Sequence, residues 1–184
     1  MTDKFLGAAR IFASHYQLVI CEDPRYIVSD AENWSDDKIA RGYAGASAFR
    51  MVRTEAHLND HWVELVASNS PPDLEKWQRV TCVDFVTVSG NVHVMSVIDD
   101  EPSISATVEP GEYAVYFAAQ NLGVDQLSLG ELKDKGGDEL TDEEFALRKD
   151  FEWYRLFIVR GRPTQCGRIV DRQSPGDIGT TGNG

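Results

Sequence analysis

Histidine spacing offers the first candidate chemistry. His57 and His61, in His57-Leu58-Asn59-Asp60-His61, stand four residues apart. On a helix that spacing aims both imidazoles the same way, and with Asp60 or Glu55 they would make a metal-ligand set. The segment is short, however, lies between two strand-like runs, and lacks the glutamate that follows the first histidine of HExxH. It reads as a polar connecting loop, with a metal-dependent hydrolase using His57 and His61 as the alternative. His15 and His93 fall in strand-like stretches, and His93 shares a face with Met95 and Val97, as a half-buried structural histidine would. Cys21, Cys82 and Cys166 are odd in number, far apart and without a CxxC, each in an apolar context that predicts a buried free thiol. No GxSxG elbow is present. Gly136-Gly137 is followed by acidic residues that would repel a phosphate.

Carboxylates are plentiful. Asp99-Asp100-Glu101 and Asp142-Glu143-Glu144 are the densest groups. Catalytic carboxylates need a pocket that drives their pKa values apart. The first group lies in a turn between strands, and the second is explained by helix capping. No catalytic residue, metal or cofactor is therefore assigned, and the residues point to binding. A small-ligand-binding β-sandwich remains a further alternative, for which a deep aromatic-lined pocket would be the sign.

Charge narrows the partner. The 184-residue chain carries a formal net charge of -12. Such a chain repels the phosphates that a nucleic-acid binder must neutralise, so direct nucleic-acid binding is not expected. Acidity favours a basic protein partner, through steering and surface complementarity. No apolar run reaches the roughly 18 residues of a membrane span. Met1-Thr2-Asp3-Lys4-Phe5 lacks the basic segment and apolar run of a signal peptide, so a cytoplasmic location is expected.

The elements that must position these residues are mostly strands. Ala8 to Glu22 alternates as a single strand, ended by Asp23-Pro24. Ser35 is the expected N-cap of a short helix with Asp36 and Asp37 in its first turn. Strands follow over 48–56 and 62–68, then one helical turn at Leu74-Glu75-Lys76-Trp77. Val80 to Ala118 reads as a four-stranded meander, with a two-residue hairpin turn at Gly90-Asn91 and a Pro110-Gly111 turn. Ile104, Ala106 and Val108 alternate with Ser103, Ser105 and Thr107, and Tyr113, Val115 and Phe117 continue the apolar face. Thr141 and Glu144 form a capping box, with Leu140 and Phe145 at the staple positions. Phe151 to Arg160 is apolar on both faces, as a central strand is. Arg162 onward is looser. The sum is an all-β, mainly antiparallel sandwich with one or two short peripheral helices. A single domain over residues 1–173 is expected, with a flexible Gly-rich tail over 174–184.

The passage FVTVSGNVHVMSVIDDEPSISATVEPGEYAVYFA resembles the central part of the competence protein J family, inhibitors of the DNA-entry nuclease of competent bacteria. Two further parts fit: the Trp34-Ser35-Asp36 helix opening, and a first strand at Ser14-His15-Tyr16-Gln17-Leu18-Val19. The resemblance covers Ile11 to Phe117. A segment around Asn121 to Asp150 and a longer C-terminus depart from it. It implies a proteinaceous inhibitor of a bacterial nuclease, of the DNA-entry type or a toxin against which this chain is the immunity protein. Acidic loops would then occlude a cationic substrate groove. Asp99, Asp100, Glu101, Glu109 and Glu112 in the turns, with Asp125, Glu131, Asp134, Asp138 and Glu139 in the loop beyond, are the expected partner-binding set. Tyr113, Tyr116, Trp153 and Tyr154 would be anchors where exposed and core residues otherwise.

Overall fold

Alternation of apolar and polar side chains lays most of this chain out as strands. The computed structural model describes residues 3–26, 34–56, 59–124 and 140–172. Among them eleven strands follow in chain order: β1 (Lys4–Ala13), β2 (Gln17–Cys21), β3 (Tyr43–Ala46), β4 (Phe49–Arg53), β5 (Asn59–Ser68), β6 (Arg79–Thr87), β7 (Asn91–Met95), β8 (Ile104–Thr107), β9 (Gly111–Gln120), β10 (Trp153–Arg160) and β11 (Gly167–Asp171). The described residues add two short helices, α1 (Asp36–Arg41) and α2 (Asp142–Leu147), and 3-10 turns at Ser14–Tyr16 and Leu74–Lys76. One sheet holds six strands in the order β1-β5-β10-β9-β6-β11, the other five in the order β3-β4-β2-β7-β8. Only β10 and β5 run parallel; the other neighbours are antiparallel.

The two sheets share one apolar core. Val63, Leu65, Val83, Phe85, Val115, Phe117, Leu156 and Ile158 come from the larger sheet, and Leu18, Ile20, Val52, Val92, Val94 and Ile104 from the smaller. Each such side chain stabilises the fold by roughly 1.5–3 kcal/mol. As predicted, β10 is central, between β5 and β9, and buries both faces: its Phe157 and Val159 join a second apolar layer with Trp77, Val80 and Tyr116. Both helices start where capping predicts. The Ser35 side chain accepts from Lys38 N–H, and Thr141 and Glu144 make the reciprocal capping box. Leu140 and Phe145 sit in one apolar cluster with Phe151.

Three expectations fail instructively. Ala8 to Glu22 is two strands in two different sheets, β1 and β2, parted by the Ser14–Tyr16 turn. His15 and Tyr16 take φ of 54° and 60° there. Left-handed backbone costs a non-glycine residue about 1–2 kcal/mol. It switches the inward positions from odd (Ile11, Ala13) to even (Leu18, Ile20), and the Tyr16 carbonyl is satisfied by Thr54 N–H at 3.0 Å. His15 therefore sits in a turn and is exposed.

The meander is the second failure. Ser89-Gly90 carries the chain from the six-stranded to the five-stranded sheet, and Pro110 carries it back. Thus β6 pairs with β9, β7 pairs with β8, and neither turn closes a hairpin. The crossings touch: Val108 N–H donates to the Gly90 carbonyl at 2.8 Å, and a Cβ on Gly90 (φ 83°) would fall 2.5 Å from the Val108 carbonyl oxygen. The third is β11, a strand at the six-stranded sheet's edge where a looser passage was expected. Residues 174–184, expected to be a flexible tail, lie outside the described residues.

Candidate partner-binding surface

The expected acidic set divides between the two ends of the strands. β6 enters the Ser89-Gly90 crossing and β7 leaves it, so Asp99, Asp100 and Glu101, in the loop after β7, lie at the far end from that crossing. Glu109 and Glu112 lie at the near end, beside the return crossing. The structure does not bring the two groups together. Asp125, Glu131, Asp134, Asp138 and Glu139 lie outside the described residues. The residues flanking them, Val124 and Leu140, belong to one apolar cluster with Trp62, Phe145 and Phe151. Val124 follows the end of β9, so this cluster is at the same end as Asp99–Glu101.

Charge neutralisation separates the acids further. Glu109 is paired with Arg160, and Glu112 accepts from Arg162 Nε at 2.8 Å. The Arg162 guanidinium holds the Glu112 carboxyl below the usual carboxylate range. Asp60 pairs with Arg10, Asp84 with Arg50, and Glu55 and Asp171 share Arg79. Glu64 takes both Lys149 and Arg155; burial pushes its carboxyl up, but those two cations outweigh burial and hold it low. Asp99, Asp100 and Glu101 are exposed and have no ion pair among the described residues. Their loop is ordered from within: buried Ser96 accepts Ile98 N–H on its hydroxyl and Asp99 N–H on its carbonyl, both at 3.4 Å. Ile98 beside them is 57% exposed. The acids of α2 are exposed and serve as its first turn.

Besides Glu64, two buried carboxylates escaped the sequence reading. Glu22, at the end of β2, accepts Val88 N–H at 2.6 Å, Ser89 N–H at 2.5 Å and the Thr87 hydroxyl at 3.3 Å, which fixes the first crossing. Burial raises its pKa, but these donors prevail and leave it below the ordinary value. Glu152, wholly buried, does the same work at the other end. Its carboxylate accepts Glu55 N–H at 2.9 Å, Ala56 N–H at 2.7 Å and Gly123 N–H at 2.8 Å, and the Tyr154 hydroxyl as well. Burial, with the Glu152 charge, pushes the Tyr154 phenol well above its usual value. The available signal was a lone carboxylate between Phe151 and Trp153, at the head of a strand apolar on both faces.

His61 belongs to this cluster. It is buried in β5, where a polar connecting loop was expected; its Nδ1 lies 2.9 Å from the Glu152 carbonyl oxygen, and its ring meets Tyr154 edge-on at 5.4 Å. His57, its expected companion, lies outside the described residues. Among those described, no three His, Cys, Asp or Glu side chains are arranged to hold a metal ion. His93 is half-buried and within 2.9 Å of the Ser105 hydroxyl; burial lowers its pKa. Cys21 and Cys82 are buried as expected, and burial pushes both thiols up to about 12. Cys166 is exposed, against expectation, because the strand begins only at Gly167. Tyr113, Tyr116 and Tyr154 are core residues, while Trp153 is half-buried, edge-on to Trp77 at 5.4 Å. An open cleft of about 730 Å³ lies between Asp23–Tyr26 and Val88–His93, with Tyr26 its sole aromatic apart from His93.

The fold and sequence have relatives. A crystal structure of ComJ from Bacillus subtilis, inhibitor of the DNA degrading activity of NucA, superimposes with a TM-score of 0.60 at 15% identity, covering 88% of this chain and 100% of that one. The protein of crocagin biosynthetic gene J superimposes with a TM-score of 0.50 at 19% identity, covering 85% and 98%. At such identities the likeness is one of fold. No curated protein matches the chain in sequence. The sequence model of competence protein J matches residues 10–145, well over half the chain. The chain belongs to the competence protein J (ComJ) family.

Proposed function

We propose that this chain is an acidic inhibitor that binds a bacterial nuclease, of the DNA-entry type or a nuclease toxin, in the cytoplasm and occludes its cationic substrate surface. It acts by binding and transforms no substrate itself. Family membership and the fold shared with ComJ, described as an inhibitor of NucA's DNA-degrading activity, support a nuclease as partner. The observation that carries occlusion is the contrast among the acids. Glu55, Asp60, Glu64, Asp84, Glu109, Glu112 and Asp171 are paired with cations within the chain, whereas Asp99, Asp100 and Glu101 project from an internally braced loop with no ion pair among the described residues. Charges 4 Å apart interact by about 1 kcal/mol in bulk water and about 4 kcal/mol at an effective dielectric of 20, so closing that loop against a cationic groove strengthens each pair. Glu109 and Glu112 are secondary contacts, since each would have to share its arginine. Asp125, Glu131, Asp134, Asp138 and Glu139 add charge in the intervening segment.

The test is DNA degradation by NucA of Bacillus subtilis, and by a NucA-type nuclease from the chain's own genome, titrated with the purified protein. Wild type should inhibit, and the D99K/D100K/E101K variant should inhibit at least tenfold more weakly, the gap narrowing as salt rises. Full potency of the charge-reversed variant would remove the occlusion mechanism; an inactive wild type would remove the function.

A further inference from the structure

Glu152 has no cation partner among the described residues, yet its carboxyl group is entirely inside the protein. Burying a carboxylate is unfavourable even when hydrogen-bonded, and an apolar side chain of similar size stabilises a core better. What the carboxylate supplies is geometry. Its two oxygens join two stretches distant in sequence, Glu55-Ala56 after β4 and Gly123 after β9, and also accept the hydroxyl of Tyr154 two residues on in β10. Its backbone adds two more ties, with Glu152 N–H donating to the Val124 carbonyl at 2.8 Å and its own carbonyl meeting His61 Nδ1 at 2.9 Å. The stretch it holds includes Asn121 in left-handed backbone (φ 54°), a conformation that asparagine accepts more readily than other non-glycine residues. The stems Glu55-Ala56 and Asn121–Val124 lie at the end of the strands that also bears Asp99–Glu101.

We infer that Glu152 is a positioning residue for the inhibitory surface: it presets the two stems so that the partner meets a formed platform and spends no binding energy on ordering it. This rests on the inhibitor reading given above. Two measurements on the full chain test it. The first is amide exchange in the free protein, in which Glu55, Ala56 and Gly123 should be protected before any partner is added. The second compares Glu152→Gln, which keeps the shape but turns one acceptor into a donor facing a backbone N–H, with Ile158→Val and Leu65→Ala, core variants that bracket its Tm. Well below their melting temperatures, E152Q should inhibit NucA at least tenfold more weakly while the bracketing variants match wild type. Should E152Q not fold, Tyr154→Phe, which deletes one donor and leaves the carboxylate, should show a smaller loss in the same direction. Unprotected stem amides that become protected only in the complex would overturn the inference, as would a variant equal to wild type. A wild type that does not inhibit defeats the inhibitor reading and this inference together; a potent wild type beside an equally potent E152Q defeats the inference alone.

Discussion

Removing the Glu22 carboxylate should loosen the first sheet-to-sheet crossing by an amount its geometry sets. One carboxylate oxygen takes two backbone N–H groups at 2.6 and 2.5 Å and a hydroxyl at 3.3 Å. A hydrogen bond to a charged acceptor contributes about 1.5–3 kcal/mol. Val88, which supplies one donor, is 79% exposed, so water replaces part of what is lost. Glu22→Ala should therefore cost about 2–3 kcal/mol in all. For a chain of this size that lowers Tm by about 4–12 °C. Glu22→Gln keeps a neutral acceptor in place and should cost about half as much. The pH dependence follows from the depressed pKa of Glu22. The charged form is the one the fold favours, so its contribution is complete above the unfolded value near 4.3 and disappears as pH falls through the lower folded value. Urea unfolding of wild type and E22Q at neutral and acid pH measures this. The gap should be present at pH 7 and close in acid. A gap that is absent at pH 7, or that persists in acid, would refute the assignment of the carboxylate as the clamp.

Two other outcomes follow from the structure. Cys166 should react with a thiol reagent in the native protein, whereas Cys21 and Cys82, buried with thiols pushed up to about 12, should react only after unfolding; three reactive native thiols would contradict the packing. Gly42→Ala should lose about 1–2 kcal/mol in urea unfolding, because Gly42 has φ 83° and an added Cβ would lie 2.9 Å from Arg168 Nε.

Much of this architecture was legible because local signals act within a few residues. Ser35, Thr141 and Glu144 cap the helices they predicted, since a cap needs only its own first turn. The central place of β10 was legible from apolar residues on both faces. Pairing was not legible at Gly90 and Pro110-Gly111. Those residues report that the backbone can turn sharply, and a turn within a sheet and a crossing between sheets ask the same of glycine. The break at His15 and Tyr16 was hidden for a related reason: tertiary packing forces ordinary residues into left-handed backbone without any glycine to mark it. Among the candidate interface residues, Asp99–Glu101 were recognisable as solvated acids, while the capture of Glu109 and Glu112 by Arg160 and Arg162 joins positions some fifty residues apart. Glu22 and Glu152 were missed because a buried acid betrays itself only through the backbone amides that surround it.

The slot that β10 fills lies between β5 and β9, and it closes only when a strand made long after both arrives to occupy it. Until then the growing chain offers two bare ladders of amides and carbonyls, the kind of edge on which chains stick to one another. The sequence model of competence protein J matches as far as residue 145, ahead of that strand. A fragment cut to the homologous region would carry a gap through the middle of its larger sheet and should precipitate on expression. The fold shared with ComJ spans 88% of this chain, more than the stretch matched in sequence, and the strand that completes the larger sheet lies in the difference.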